Sequence, residues 1–218
     1  MENRRFQVPE QKNYEYALSQ AYKLACEKLA GIKDIEQQCR NSGTECRVTE
    51  HGRKITVSYL NQPHKITLPD IDVVFADSSQ EVSLREKVLI LHYFIRAKGI
   101  PLSGKLITFR ELPEGKVYLP TFAKRTTSPL VKYFGKESRL LLETGKKLGG
   151  YKTDYGDVAV TIPAFKYVPI TAVLWQGDDE FSPEANILFD STITDYLSTE
   201  DLIVLCEIIT WKMVRSSM

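Results

Sequence analysis

The acidic run Asp178-Asp179-Glu180 is the densest set of potential ligand atoms in the chain, placed between Trp175-Gln-Gly177 and Phe181 and followed by Ile187-Leu-Phe-Asp190. Three adjacent carboxylates repel one another unless they are solvated or neutralised. A divalent cation that favours oxygen ligands, Mg²⁺ or Ca²⁺, would neutralise them, with Asp157 or Asp190 completing the site. The run lacks the D-x-[DN]-x-[DN]-G order of a calcium loop, and consecutive side chains on an extended segment diverge. A solvated acidic turn is therefore the competing expectation. Asp190, just before Ser-Thr-Ile-Thr, reads as a helix N-cap.

A second chemistry comes from rings interleaved with cations. The chain has 11 Tyr, 9 Phe and 2 Trp, enough that Phe109, Tyr118, Phe122 and Trp175 alternate along it with Arg110, Lys116, Lys124 and Arg125. Flat apolar surfaces beside positive charge suit a large planar ligand bearing carboxylates or phosphate. His92 borders the apolar stripe of a strong helix, beside Tyr93, where an imidazole could ligate a metal or donate to a ligand. The candidate cofactor-binding set is thus His92, Tyr93, Phe109, Arg110, Tyr118, Phe122, Arg125 and Trp175, expected to converge on one cavity. Against it stands an aromatic core with lysines reaching out at its rim, and a core histidine with a backbone partner.

Other reaction grammars are missing. The chain has no G-x-G-x-x-G, Walker A loop, G-x-S-x-G elbow or H-E-x-x-H,. His51 and His64 flank polar turns and read as surface histidines. Cys26, Cys39, Cys46 and Cys206 include no C-x-x-C pair. Cys39 and Cys46 match no zinc spacing, so structural thiols are expected, with a local disulfide as the alternative.

Twenty-nine Lys and Arg stand against 28 Asp and Glu, a formal charge of +1, which argues against general nucleic-acid binding. With 43% hydrophobic and 26% charged residues over 218 positions, the chain can bury a full core without metal or disulfide staples. The opening residues contain no apolar signal segment. The most apolar runs, Val88–Ile95 and Leu202–Ile209, are too short to span a bilayer. Cytoplasm is the natural expectation.

The elements that must position these groups follow from periodicity. Apolar residues at helical spacing predict helices over 13–32, 34–41, from Ser83 to Gly99, over most of 126–148 and over 199–214, with Ser83 and Glu86 forming a capping box and Ser198 capping the last. Alternation predicts strands over 46–49, 54–60, 64–68, 157–162 and 170–175. Leu106–Phe109 and Lys116–Leu119 read as a hairpin around Glu111-Leu-Pro-Glu-Gly115. The fold class is α+β: antiparallel or mixed sheet packed with several helices. Residues 1–12 read as an N-terminal extension and 13–218 as one domain, with two tightly packed lobes, about 13–120 and 121–218, as the alternative.

Several segments carry a resemblance: Ser83-Leu-Arg-Glu-Lys-Val-Leu-Ile-Leu-His-Tyr93, Gly99-Ile-Pro-Leu, Ile107-Thr-Phe-Arg-Glu-Leu-Pro-Glu-Gly115, Val168-Pro-Ile, Leu174-Trp-Gln-Gly-Asp-Asp-Glu-Phe181 and Ile187-Leu-Phe-Asp190. In these, the chain resembles the domain of unknown function 3786 family over most of its length. The resemblance implies an origin in anaerobic bacteria or archaea. It also implies the company of a cysteine-rich iron–sulfur domain like that of corrinoid iron–sulfur proteins, to which some members are joined. This chain lacks that cysteine cluster, and the family supplies no agreed catalytic residues. The expected function is a non-catalytic binding or accessory protein for a corrinoid (cobalamin) or other tetrapyrrole in anaerobic one-carbon metabolism. The alternatives are a module docking on an iron–sulfur or methyltransferase partner, and a divalent-metal enzyme using Asp178, Asp179 and Glu180.

Overall fold

Val57 and Tyr59 alternate with polar residues, and so do His64 and Ile66. The two segments form a hairpin in which Val57 faces His64 and Ile55 faces Ile66 across the ladder. The computed structural model describes residues 10–177 and 180–218, and residues 10–12 by backbone alone. In it, β1 (Glu45–Thr49), β2 (Gly52–Tyr59), β3 (Gln62–Leu68) and β4 (Val73–Phe75) form an antiparallel meander. The β1–β2 turn needs glycine at 52: its φ is +134°, and a Cβ there would meet the Leu68 carbonyl oxygen at 1.9 Å,. Three-residue β4 has too little alternation to read from the sequence.

Two helices precede this sheet, α1 (Glu10–Ala30) and α2 (Ile35–Ser42), and α3 (Leu84–Arg96) follows it. Asp34 caps α2 by accepting from Gln37 N, and Gly43 ends it in the left-handed conformation,. Ser83 Oγ caps α3 by accepting from Glu86 N at 3.4 Å. Glu86 returns to the Ser83 hydroxyl, at 2.7 Å.

The second sheet contains β5 (Leu106–Thr108), β6 (Tyr151–Thr153), β7 (Val158–Phe165), β8 (Val168–Trp175) and β9 (Glu184–Asp190), ordered β5-β9-β8-β7-β6 and antiparallel throughout. The hairpin expected from 106–109 and 116–119 does not form. Lys116–Leu119 lies in α4 (Gly115–Arg125), and β5 pairs with β9 instead. The local Val-Tyr-Leu pattern suits a strand, but Glu114 turns through φ 57° and starts a helix at Gly115. Then come α5 (Thr127–Phe134) and α6 (Arg139–Lys147), broken at Gly135 as expected. The terminal α7 (Thr199–Ser217) begins with a full capping box between Ser198 and Asp201. Asp190 is the last residue of β9 rather than an N-cap.

On one face of the second sheet, Val160, Ile162, Ile170, Ala172, Leu174, Ile187 and Phe189 join a core that also takes in Ile55, Val57 and Ile66 of the first. Helix α6 lies close on this face: a Cβ on Gly145 would come within 2.6 Å of Val160. The sheets meet end to end, where Leu60 N donates to Ala164 O at 3.0 Å. Antiparallel sheets beside helices make the chain α+β,. No helix among the described residues is long and apolar enough to cross a membrane.

Candidate functional site

The eight residues expected to line a cofactor cavity are dispersed. Phe109 and Phe122 are each 1% exposed and stack on one another at 3.9 Å, against Phe189. They are core, and neither ring has a free face. Tyr93 belongs to a separate aromatic layer, stacked on Phe165 at 4.1 Å and near Tyr196 at 6.0 Å. Its hydroxyl donates to Ser42 O at 2.7 Å. Tyr118 is half-buried against the core, and Arg110 is exposed. Arg125 approaches Glu207 at 3.6 Å, while Trp175 stands 41% exposed at the end of β8. The expected convergence is therefore corrected: packing of the turn after β5 against α4 and β9 consumes the two phenylalanines, Arg125 turns to Glu207, and Arg110 stands exposed.

His92 has a side-chain partner, not a backbone one. Its Nδ1 lies 2.7 Å from Asp201 Oδ1. Asp201 also takes the Ser198 hydroxyl and N–H at 2.7 and 3.1 Å. Burial alone would raise the Asp201 carboxyl, but the His92 bond and charge, with the Ser198 donors, hold it below the ordinary value,. His64 corrects a second expectation. The register that places it opposite Val57 turns it inward, 1% exposed, between Tyr59 and Phe75, and burial lowers its basicity.

Asp178 and Asp179 lie outside the described residues. Glu180 is described and exposed, beside Phe181 at 70% exposure. Asp157 accepts from Gln176 N at 2.7 Å. The oxygens of Asp190 are occupied by the N–H and hydroxyl of Ser103, the N–H of Gly104, and the N–H and hydroxyl of Thr192. Burial opposes ionisation of Asp190, yet these donors hold its pKa down to about 2. Its task is to tie the 100–105 segment to β9. Among the described residues, no three of His, Cys, Asp and Glu group as metal ligands. All four cysteines are free; Cys39 and Cys46 share a thiol contact, and burial raises Cys39 to about 11.

What the fold does bring together is a rim of exposed aromatic residues around the other face of the second sheet. Register places Tyr151, Thr161, Thr171 and Leu188 in one cross-strand row, and Thr153, Ala159, Val173 and Asn186 in the next. Trp175, two residues beyond Val173, shares this face,. The middle of this face is packed rather than open: Ala159 is 0%, Val173 1%, Thr171 3% and Thr161 5% exposed. Small residues occupy the middle, with Thr161 and Thr171 hydroxyls 2.7 Å apart, and aromatic residues stand at the edge: Tyr151 is 55% exposed. The β6–β7 turn folds over at Gly156, close to Val173 and the Trp175 ring, and carries exposed Tyr155. Beyond Trp175, a polar groove of about 540 Å³ runs between Lys136 and the segment carrying Phe181. Gln176, in its lining, donates to the Ser138 hydroxyl. Trp175–Phe181 is unusual as a local segment, whereas the placing of Tyr151 and Tyr155 near it depends on strand order.

A separate cleft of about 300 Å³ opens where the two sheets meet, lined by Ser42, Thr44, Asn61, Tyr93 and Lys166 among others. Tyr93 is the one member of the expected set that it contains.

The family model described as Domain of unknown function (DUF3786) matches residues 34–211. The chain belongs to this family. No curated protein and no solved structure matches it.

Proposed function

We propose that this member of the domain of unknown function 3786 family is a non-catalytic accessory protein that docks on a partner protein through the exposed aromatic rim of its second sheet. The partner we infer is a corrinoid or iron–sulfur protein, on the family resemblance set out above. The observation that carries the reading is the exposure of Trp175 on the same face as Tyr151, with Tyr155 and Phe181 on the adjoining turns. Exposed aromatic side chains held at the edge of a packed sheet favour protein contact, because large rings bring much apolar area at little entropic cost. Direct capture of a corrinoid or other tetrapyrrole by this chain has less support, since Phe109 and Phe122 are committed to the core.

The test is co-elution of the purified protein with a corrinoid iron–sulfur protein or its methyltransferase, for wild type and for a Trp175→Ala, Phe181→Ala double variant. The reading expects a complex with wild type that the double variant loses while keeping its thermal stability. An undiminished complex with the variant would count against the proposed face. If the isolated chain itself bound cobalamin, with the absorbance of a bound corrinoid and a raised Tm, the tetrapyrrole reading would replace this one.

A further inference from the structure

Where α7 passes the start of α3, cations outnumber acids around a cavity of about 270 Å³. Glu207 Oε2 takes Arg85 Nη2 at 2.6 Å and is approached by Arg125 at 3.6 Å. Glu86 takes Lys212 at 3.1 Å through one oxygen and the Ser83 hydroxyl at 2.7 Å through the other. Both carboxylates are thus engaged, while Arg215, an exposed lining residue, has no ion-pair partner among the described residues.

Arg85 Nε, on a lining residue, is buried without a hydrogen-bond partner; the hydroxyl of Tyr59 is also orphaned but lies outside the lining. Tyr59 is 1% exposed and feels the charges of both Glu86 and Arg85. Buried donors are nearly always satisfied, so an orphaned guanidinium N–H on the lining of a cationic cavity points to an acceptor supplied from outside the chain. The guanidinium of Arg85 spends one edge on Glu207 and keeps Nε–H, a donor well suited to an oxyanion. Trp211, half-buried and set edge-on to Tyr133 at 6.1 Å, forms the apolar wall. The volume falls below the drug-sized range of about 300–1,000 Å³, which limits the occupant to a small molecule.

We propose that this cavity binds a small oxyanion, a carboxylate or phosphate group, with Arg85 and Arg215 as its donors and Trp211 as its wall. The site lies on α3 and α7 and stands independently of the docking face.

The test uses the full chain with Trp175→Phe, which leaves Trp211 as the one tryptophan of the two in the sequence. Inorganic phosphate and succinate are titrated separately at constant ionic strength, with chloride as the control. The expected result is a saturable change in Trp211 emission and a rise in Tm with one of them, and the tighter binder identifies the oxyanion class. Arg85→Gln and Arg215→Gln should each weaken binding about tenfold or more. Arg215 is exposed and unpaired, so its variant tests the site even if Arg85→Gln fails to fold. A response no different from chloride with both anions, up to about 50 mM and so in a regime weaker than millimolar affinity, overturns the proposal. Unchanged binding by Arg215→Gln overturns it as well.

Discussion

His92 and Asp201, 109 positions apart in the chain, meet at 2.7 Å and join α3 to the first turn of α7. Asp201 is 8% exposed, so the bond is made away from bulk water. Because the folded carboxyl is held below its ordinary value, its contribution to stability is complete above the unfolded Asp pKa of about 3.9 and disappears as pH falls through the lower folded value. Urea unfolding between pH 7 and pH 3 should therefore show an acid limb that Asp201→Asn flattens. The same substitution should cost about 1–3 kcal/mol at neutral pH, by leaving buried donors poorly matched.

Asp190 should be the more costly carboxylate to remove. It satisfies donors from Ser103, Gly104 and Thr192 together, and its pKa of about 2 lies well below the ordinary 3.8. A shift of that size corresponds to about 2 kcal/mol, present above about pH 4 and lost as pH falls towards 2. Asp190→Ala should cost about 2–4 kcal/mol and speed hydrogen exchange at the Ser103 and Gly104 amides. Unchanged exchange there would show that the 100–105 segment is held by something else.

Phe122→Ala and Trp175→Ala should separate packing from recognition. The first removes a ring stacked at 3.9 Å in the core and should cost about 3–5 kcal/mol in denaturant unfolding. The second truncates a ring already 41% exposed and should change stability by less than about 1 kcal/mol. Comparable losses for both would mean that Trp175 is part of the folded core.

Thiol labelling gives a fourth check. Cys206 is fully buried and burial pushes its thiol far up; Cys39, buried beside Cys46, is raised to about 11. In native protein, a thiol-specific reagent should modify the half-buried Cys26 and Cys46 well before Cys206, whose labelling should follow the rate of unfolding. Fast labelling of Cys206 in native protein would contradict this packing.

Local signals were enough for much of the architecture. Helices α1, α3 and α7 and strands β2 and β3 are legible in apolar spacing because each buries one face along its own length, and β7 and β8 are legible as short apolar runs buried on both faces,. Lys116–Leu119 is helical despite its β-favouring residues, which carry no information about whether a partner strand is free. The partner of β5 is β9, far along the chain. The same limit hid the stack of Phe109 on Phe122 and the inward turn of His64. Trp175–Phe181 stood out locally, but the strand order that adds Tyr151 to its face is a long-range property.

The pairing of β5 with β9 also has a consequence for biosynthesis. The first sheet is a meander whose neighbours follow one another, so it can assemble as the chain emerges,. Leu106–Thr108 must instead wait until Leu188–Asp190 has been translated. At about 5–20 residues per second this interval is roughly 4–16 s. Throughout it, Phe109 and Phe122 lack the Phe189 side of their nest, and the nascent chain carries an unfinished apolar surface that chaperones can recognise.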